Sequence, residues 1–331
     1  MSRTMKKFMA FLLAALMIVS LVACGGGKSS ASNYPEKNVN VIVPFGAGGN
    51  TDMSIRALLN VTQEVNNKYT FVVENKTGNA GLVGMEALAE AKNDGYTLGA
   101  TCIDLMLHIN FGRTEKKLSD YEFIACTMAD PYGLIISTKN EKFSDIKGLV
   151  EYAKAHPGEV KVGDSGLGAA PNVAAMAFQQ YFDIKFDMYT YDSSADCCTA
   201  IQSNEIDATF TQPSPAVSAM KAGDLVMIGV LSDTRLNAWP DCPTLVETFG
   251  ADKGLVMKGW VALTAPAGTD KEIINTLWED TGKALKTDSY KAAIEALGME
   301  YMVLYGEELN TFLAEQMKFY EEVCPTIDIN G

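Results

Sequence analysis

Residues 39–52 read Val-Asn-Val-Ile-Val-Pro-Phe-Gly-Ala-Gly-Gly-Asn-Thr-Asp, and no other stretch limits the fold as tightly. Val39, Val41, Ile42 and Val43 are β-branched and predict a buried strand; Pro44 lacks the N–H that a sheet ladder uses and ends it. Gly46, Gly48 and Gly49 then permit backbone conformations that a side chain forbids and let a ligand approach the main chain. Asn50 or Thr51 is placed to cap a helix whose first N–H groups and positive dipole end face the turn. Strand, glycine turn and helix N-terminus together make an anion site, whether for a carboxylate or a phosphate. The same order recurs further on: a strand over 160–163, a turn containing Gly166 and Gly168, and a helix over 172–182 with Pro171 as its first residue.

The intervening chain supplies an α/β layer. Ile55, Leu58, Leu59 and Val61 have helical spacing, 71–73 and 96–102 read as strands, and 81–91 reads as a helix. Runs of strand character at 121–127 and 132–138 flank Asp130-Pro131, after which the pattern restarts. Strands are expected at 185–191, 208–211 and 226–231, with helices at 195–202 and 215–221. After Lys258, Gly-Trp-Val-Ala-Leu-Thr predicts a strand stopped by Ala265-Pro266-Ala267-Gly268; helices follow at 270–285 (capped by Thr269), 289–297 and 307–323. The expected organisation is two α/β lobes, 34–131 with 258–331 and an inserted 132–257, each a mixed, mostly parallel sheet flanked by helices. Two connecting strands make a hinge, and ligands sit in the cleft at the carboxyl ends of strands.

At the amino terminus Arg3, Lys6 and Lys7 precede an apolar run over 8–22, the pattern of a secretion signal and too short for a comfortable membrane span. Leu21-Val22-Ala23-Cys24-Gly25 resembles the bacterial lipoprotein signal, which implies cleavage after residue 23 and lipid attachment at Cys24; residues 24–33 suit a flexible tether. Three of the 27 basic residues and none of the 41 acidic ones lie in residues 1–23, so the remainder carries −17. Such a body is a poor partner for nucleic acid. The other six cysteines have no Cys-x-x-Cys spacing, and two histidines in the whole chain do not suggest a zinc site. Disulfides are permitted by export, with Cys102 and Cys126 as possible neighbours on adjacent strands, and buried free thiols are the alternative.

Several ordered motifs resemble the tripartite tricarboxylate transporter substrate-binding proteins, the Bug family. They are Tyr34-Pro35-Glu36-Lys37, Val43 through Asp52, Val73-Glu74-Asn75-Lys76-Thr77-Gly78, Asp94-Gly95-Tyr96-Thr97-Leu98, Trp239-Pro240-Asp241-Cys242-Pro243-Thr244 and Leu263 through Thr269. The resemblance implies a two-lobed, periplasmic-binding-protein-like fold of type II that clamps a small organic carboxylate and delivers it to a membrane permease, with no cofactor, no metal and no catalysis. Phe45, Gly46, Ala47, Gly48, Gly49, Thr51 and Asp52 match the family's first ligand turn. Ser165, Gly166 and Gly168 match the second, and Gln212 to Ser214 stand where a third loop lines the cleft. Three positions depart from the family. Ala169 and Asn172 replace a hydroxyl and a histidine, and Asp192 stands where a basic residue is usual. An acidic residue at the cleft disfavours a multiply charged anion and favours a monocarboxylate or a ligand with an amino group. A ligand-sensing subunit for a membrane receptor and an extracellular enzyme are the alternative roles on the same fold.

Other signals have plainer readings. Gly163-Asp164-Ser165-Gly166 matches a protease nucleophile tetrapeptide, yet a nucleophilic serine needs a positioned histidine base. Gly166-x-Gly168-x-x-Pro171 lacks the third glycine of a dinucleotide fingerprint. Asp52 serves either the turn or a ligand-held water, and Trp260 on the returning connector either packs or touches ligand.

Overall fold

The computed structural model describes residues 33–250 and 256–329. The expected signal and Cys24 lie outside the described residues. In chain order the elements are β1 (Val39–Val43), α1 (Asn50–Val65), β2 (Phe71–Asn75), α2 (Leu82–Ala89), β3 (Thr97–Cys102), α3 (Ile103–Asn110), β4 (Tyr121–Pro131) and β5 (Gly133–Ser137). Then come α4 (Ile146–Ala155), β6 (Val160–Asp164), α5 (Ala170–Phe182), β7 (Phe186–Thr190), α6 (Ser194–Gln202), β8 (Ala208–Thr211), α7 (Val217–Ala222) and β9 (Leu225–Val230). The chain continues through α8 (Leu245–Phe249), β10 (Lys258–Pro266), α9 (Lys271–Leu285), α10 (Asp288–Ala296), β11 (Leu304–Tyr305) and α11 (Gly306–Val323).

These strands form two sheets, ordered β11-β4-β10-β3-β1-β2 and β7-β6-β8-β5-β9, and both belong to the compact unit Pro35–Gly331. In the first, β1 to β4 run one way and β10 and β11 the other; in the second only β5 opposes its neighbours. Alternation explains β1, whose Val39, Val41 and Val43 are fully buried. α1 packs against α9 and α10, and α3 against α11, while α5 and α6 lie on β8. Where side chains cap helices they are short and polar: Asp145 for α4, Ser193 for α6 and Thr287 for α10, each worth about 1 kcal/mol.

The structure departs from the sequence reading at several places. β10 inserts between β3 and β4, pairing Val261 with Cys102 and Ala262 with Cys126, so those two cysteines flank a strand instead of facing each other. All six described cysteines are buried free thiols, the second of the two states the sequence allowed. β4 runs unbroken to Pro131. The residue before α1 is Gly49, not Asn50 or Thr51, and no side chain caps that helix. Asp270, not Thr269, caps α9; the Thr269 hydroxyl is spent on the Pro266 carbonyl. α5 starts at Ala170, and α3 was not expected at all, because its apolar residues follow β3 without a glycine or proline between them. Among the described residues no helix is long and apolar enough to cross a membrane.

Candidate ligand-binding site

The two glycine turns are built alike. Gly48 (φ 76°) and Gly168 (φ 75°) take the left-handed conformation that only glycine adopts without strain. Gly49 donates to the Gly46 carbonyl at 3.3 Å, and Ala169 to the Gly166 carbonyl at 3.0 Å. A side chain from the first turn of each following helix reaches back to the left-handed glycine: Asp52 Oδ2 accepts the Gly48 N–H and Asn172 Oδ1 accepts the Gly168 N–H, both at 3.0 Å. The first turn is tied outward, since Asp52 Oδ1 also accepts from Arg56 (2.8 Å) and Asn75 (2.9 Å). The second is tied inward. Buried Asp164 accepts from the Gly166 N–H (2.9 Å), Asn172 Nδ2 (2.7 Å) and the Thr190 hydroxyl (2.9 Å).

Between the sheets these turns close on a cavity of ≈ 30 Å³. From the first sheet it is lined by Phe45, Gly49, Asn50 and Thr51 at the start of α1, by Cys102, Ile103 and Asp104 at the start of α3, and by Trp260 and Val261 of β10. Tyr132 at the crossover, Ser165, Pro171, Ser193, Ser194 and Gln212 complete it. Four helix N-termini therefore converge, those of α1, α3, α5 and α6, and each adds a partial positive charge. Asn50, Thr51 and Asp52 have no acceptor for their N–H groups within α1. Trp260 is 1 % exposed and its Nε1–H has no partner among the described residues. Larger grooves of ≈ 620 and ≈ 650 Å³ exist on the surface, one beside Trp239 and Glu300 and one beside Gln180 and Thr326.

Besides the bonds from Gln180 to Thr326 and from Asn237 to Glu300 at the surface, three hydrogen bonds among the described residues cross the gap beside the cavity. The Gly46 N–H donates to the Asp192 carbonyl at 3.3 Å, the Ser214 hydroxyl donates to Asn50 Oδ1, and the Ala170 N–H donates to Asp104 Oδ1 at 2.7 Å. Cys102 donates its thiol proton to Asp104 Oδ2 at 3.0 Å; burial and the adjacent Asp104 push that thiol well above its ordinary range. Burial, and next the Asp104 charge, also raise the Tyr132 hydroxyl.

Of the residues expected at the site, Phe45, Gly49, Thr51, Ser165 and Gln212 line the cavity. Gly46 and Ser214 stand beside it through the cross-gap bonds, and Gly166 packs against Ala80 of the opposite lobe. Ala47, Gly48, Asp52 and Gly168 are not in the lining; Gly168 lies against Arg113. Asp192 is exposed and offers only its backbone carbonyl, so the acidic side chain expected at the cleft comes from a different place, Asp104. Besides Asp104, the sequence reading passed over Tyr132, Ser193 and Ser194 as lining residues. Ser165 has no hydrogen bond to either histidine among the described residues. His108 Nε2 bonds the Ala80 carbonyl (2.8 Å) with Nδ1 beside Arg113, and His156 stacks on Tyr152. Burial lowers the His108 pKa. No cluster of His, Cys, Asp and Glu among the described residues could hold a metal ion.

The family model described as the tripartite tricarboxylate transporter family receptor matches residues 58–328. The chain belongs to this family. Among curated relatives, protein BugT of Bordetella pertussis is 27 % identical over 315 residues, covering 94 % of this receptor and 95 % of that protein. Among solved structures, MatC from Rhodopseudomonas palustris, with bound malate, is 21 % identical with a TM-score of 0.80, covering 88 % of this receptor and all 100 % of that chain. A second R. palustris protein, with adipate, is 22 % identical with a TM-score of 0.81, covering 88 % and 98 %. At that identity the two structures establish a shared two-lobed fold, and the family assignment rests on the sequence match.

Proposed function

We propose that this receptor captures a small organic carboxylate between its two sheets and presents it to a tripartite membrane permease. The observation that carries this is the N-terminus of α1, uncapped by any side chain among the described residues, opening into the cavity between the sheets. A ligand carboxylate seated there accepts from the Asn50 and Thr51 N–H groups, with the Thr51 hydroxyl, Ser194 and the Trp260 Nε1–H within the same lining. Malate and adipate, the ligands of the two R. palustris structures, belong to this chemical class.

A cavity of ≈ 30 Å³ has room for little more than water, so entry requires the sheets to part. The parts that move are the two lobes, 34–131 with 258–331 against 132–257. They separate about the two crossings of the chain, where Lys258 pairs with Pro131 and the Tyr132 N–H donates to the Met257 carbonyl at 3.0 Å. Ligand stabilises the closed form in proportion to its preference for that form. At the turns the lobes meet through polar bonds that exchange readily for bonds to ligand and water; away from the cavity Asn237 bonds Glu300 and Gln180 bonds Thr326 across the same division. Residues 1–23 serve as the export signal and Cys24 as the lipid attachment, which keeps the receptor on the extracytoplasmic face beside its permease.

The test is a thermal-shift and calorimetry screen of the full chain, purified in detergent, against mono-, di- and tricarboxylates and amino acids. A true ligand at about 100 times its Kd adds ~2.7 kcal/mol, which for a body of this size raises Tm by roughly 5 °C. Ligand recovered unchanged after incubation separates capture from catalysis. If no acid shifts Tm or gives heat, the proposal fails.

A further inference from the structure

Asp104 is 4 % exposed and is the only acidic or basic residue among the described residues lining the cavity. It occupies the first turn of α3, and its Oδ1 accepts the N–H of Ala170, the first residue of α5, across the gap. It therefore lies at two helix N-termini at once, the kind of place where an incoming anion would be held. The rest of the α5 N-terminus offers little. Ala170 is engaged by Asp104, and Pro171, which also lines the cavity, has no N–H. The start of α1 differs, because Asn50 and Thr51 keep their N–H groups and no acidic side chain reaches them from across the gap.

We propose that Asp104 is the specificity-determining residue of this site, a built-in carboxylate that takes the second anion position, so that the ligand is a small zwitterion with one carboxylate at α1 and an ammonium group at Asp104. This rests on the carboxylate-capture function proposed above. The Asp104 carboxylate has about four acceptor sites. Two are used, one by an N–H and one by the weak donor Cys102. No Lys, Arg or His forms an ion pair with it among the described residues: the nearest histidine along α3, His108, turns to Ala80 and Arg113. A buried carboxylate without a countercharge is unfavourable, and a ligand ammonium supplies both the countercharge and the missing donors. A second ligand carboxylate meets a like charge and finds the α5 seat taken.

Sets matched in carbon number decide it: butyrate, succinate and 4-aminobutyrate; hexanoate, adipate and 6-aminohexanoate; propionate, malonate and the α-amino acids alanine and serine, each titrated calorimetrically into the full chain. In the wild type an amino acid of one set binds at least ~100-fold more tightly than the dicarboxylate of that set. Asp104→Asn keeps an oxygen for the Ala170 N–H and lowers that ratio tenfold or more, whereas Asp104→Glu keeps the charge and the rejection of dicarboxylates. Circular dichroism and melting of each variant separate lost selectivity from lost fold, and the wild-type ratio stands as a test by itself. A wild type that takes a dicarboxylate as well as its amino counterpart overturns the inference and leaves carboxylate capture intact; so does an unchanged ratio in Asp104→Asn. Binding of none of these or longer acids overturns the capture function, and the inference with it.

Discussion

The turn before α1 and the turn before α5 are built around the same left-handed glycine, Gly48 and Gly168, with Gly46 placed as Gly166 and Asp52 as Asn172, yet they are used in opposite ways. The first is open. Ala47 and Gly48 are exposed, the anchoring groups Arg56 and Asn75 stand outside the cavity, and the N–H groups at the head of α1 are spare. The second is filled. Gly166 and Gly168 are buried, three donors converge on Asp164, and the head of α5 is occupied by Asp104 and Pro171. A strand–glycine–helix pattern thus makes an anion site only where the protein leaves its donors unanswered; where it answers them, the same pattern becomes a structural joint.

The largest effect that tests this contrast comes from alanine at the matched glycines. Both positions have the same φ and so the same strain of about 1–2 kcal/mol for a side chain. A Cβ on Gly48 meets nothing nearer than Ala195 at 3.9 Å, while one on Gly168 falls 2.5 Å from Arg113 Nη1. Gly168→Ala should therefore cost ~3 kcal/mol in denaturant unfolding against ~1 for Gly48→Ala, by adding the displacement of Arg113 from His108 and Asn79. Arg113→Ala placed in the Gly168→Ala background should recover the excess, and equal costs for the two glycines would erase the contrast.

Next in size is the loss of the reaching side chains. Asn172→Ala leaves a buried Gly168 N–H and a buried Asp164 oxygen without partners, a cost of about 2–3 kcal/mol. Asp52→Ala exposes groups that water can satisfy, at ~1 kcal/mol, measured by the same unfolding curves. The reverse ranking would mark the first turn as the structural one.

Acid titration of the two turns has to be separated from Asp130, a third buried acid at the crossover. Burial pushes its carboxyl up to about 7, helped by the Glu300 charge and opposed by the Glu300 N–H and Lys258. Cys126 and Tyr290 also face it, and its Oδ2 has no partner among the described residues. Between its ordinary 3.8 and about 7 the folded protein holds a proton that the unfolded chain has released. This one group therefore lowers stability as pH rises through that window, by roughly 1.4 kcal/mol per pH unit, and contributes no slope above it. Asp130→Asn should remove that slope in melts from pH 4 to 8; an unaltered slope would assign the pH dependence to other acids. The smallest effect separates the turns by ligand affinity alone. Thr51→Val should weaken binding about tenfold, Ser165→Ala less, and each should leave unfolding within ~0.5 kcal/mol.

Much of this architecture could be read from the chain because it is written locally. β-branched runs, glycines at left-handed positions and the proline opening of α5 are each decided within a few residues. What could not be read depends on distant partners. The insertion of β10 between β3 and β4 is a matter of sheet register, and the role of Asp192 turned on whether its backbone or its side chain faced the gap. Asp104 was hidden differently: it sits in an apolar stretch, Cys-Ile-Asp-Leu-Met-Leu-His-Ile, that continues the strand period without punctuation. A lone acid in such a run was the available signal, since an unpaired carboxylate is not buried without a reason.

The position of β10 also bears on how the chain acquires its shape. The second sheet is continuous in sequence and has all its strands once Val230 is made, whereas the first cannot join β3 to β4 until Lys258–Pro266 arrives between them. Contacts of such long sequence separation form late, because loop closure must precede them. During refolding, pulsed hydrogen exchange should accordingly protect the amides of β5 to β9 before those of β3 and β4; simultaneous protection would contradict this order. The lobe interrupted by its partner is completed last, so the half of the site that holds the spare donors comes into being only after the other half is already in place.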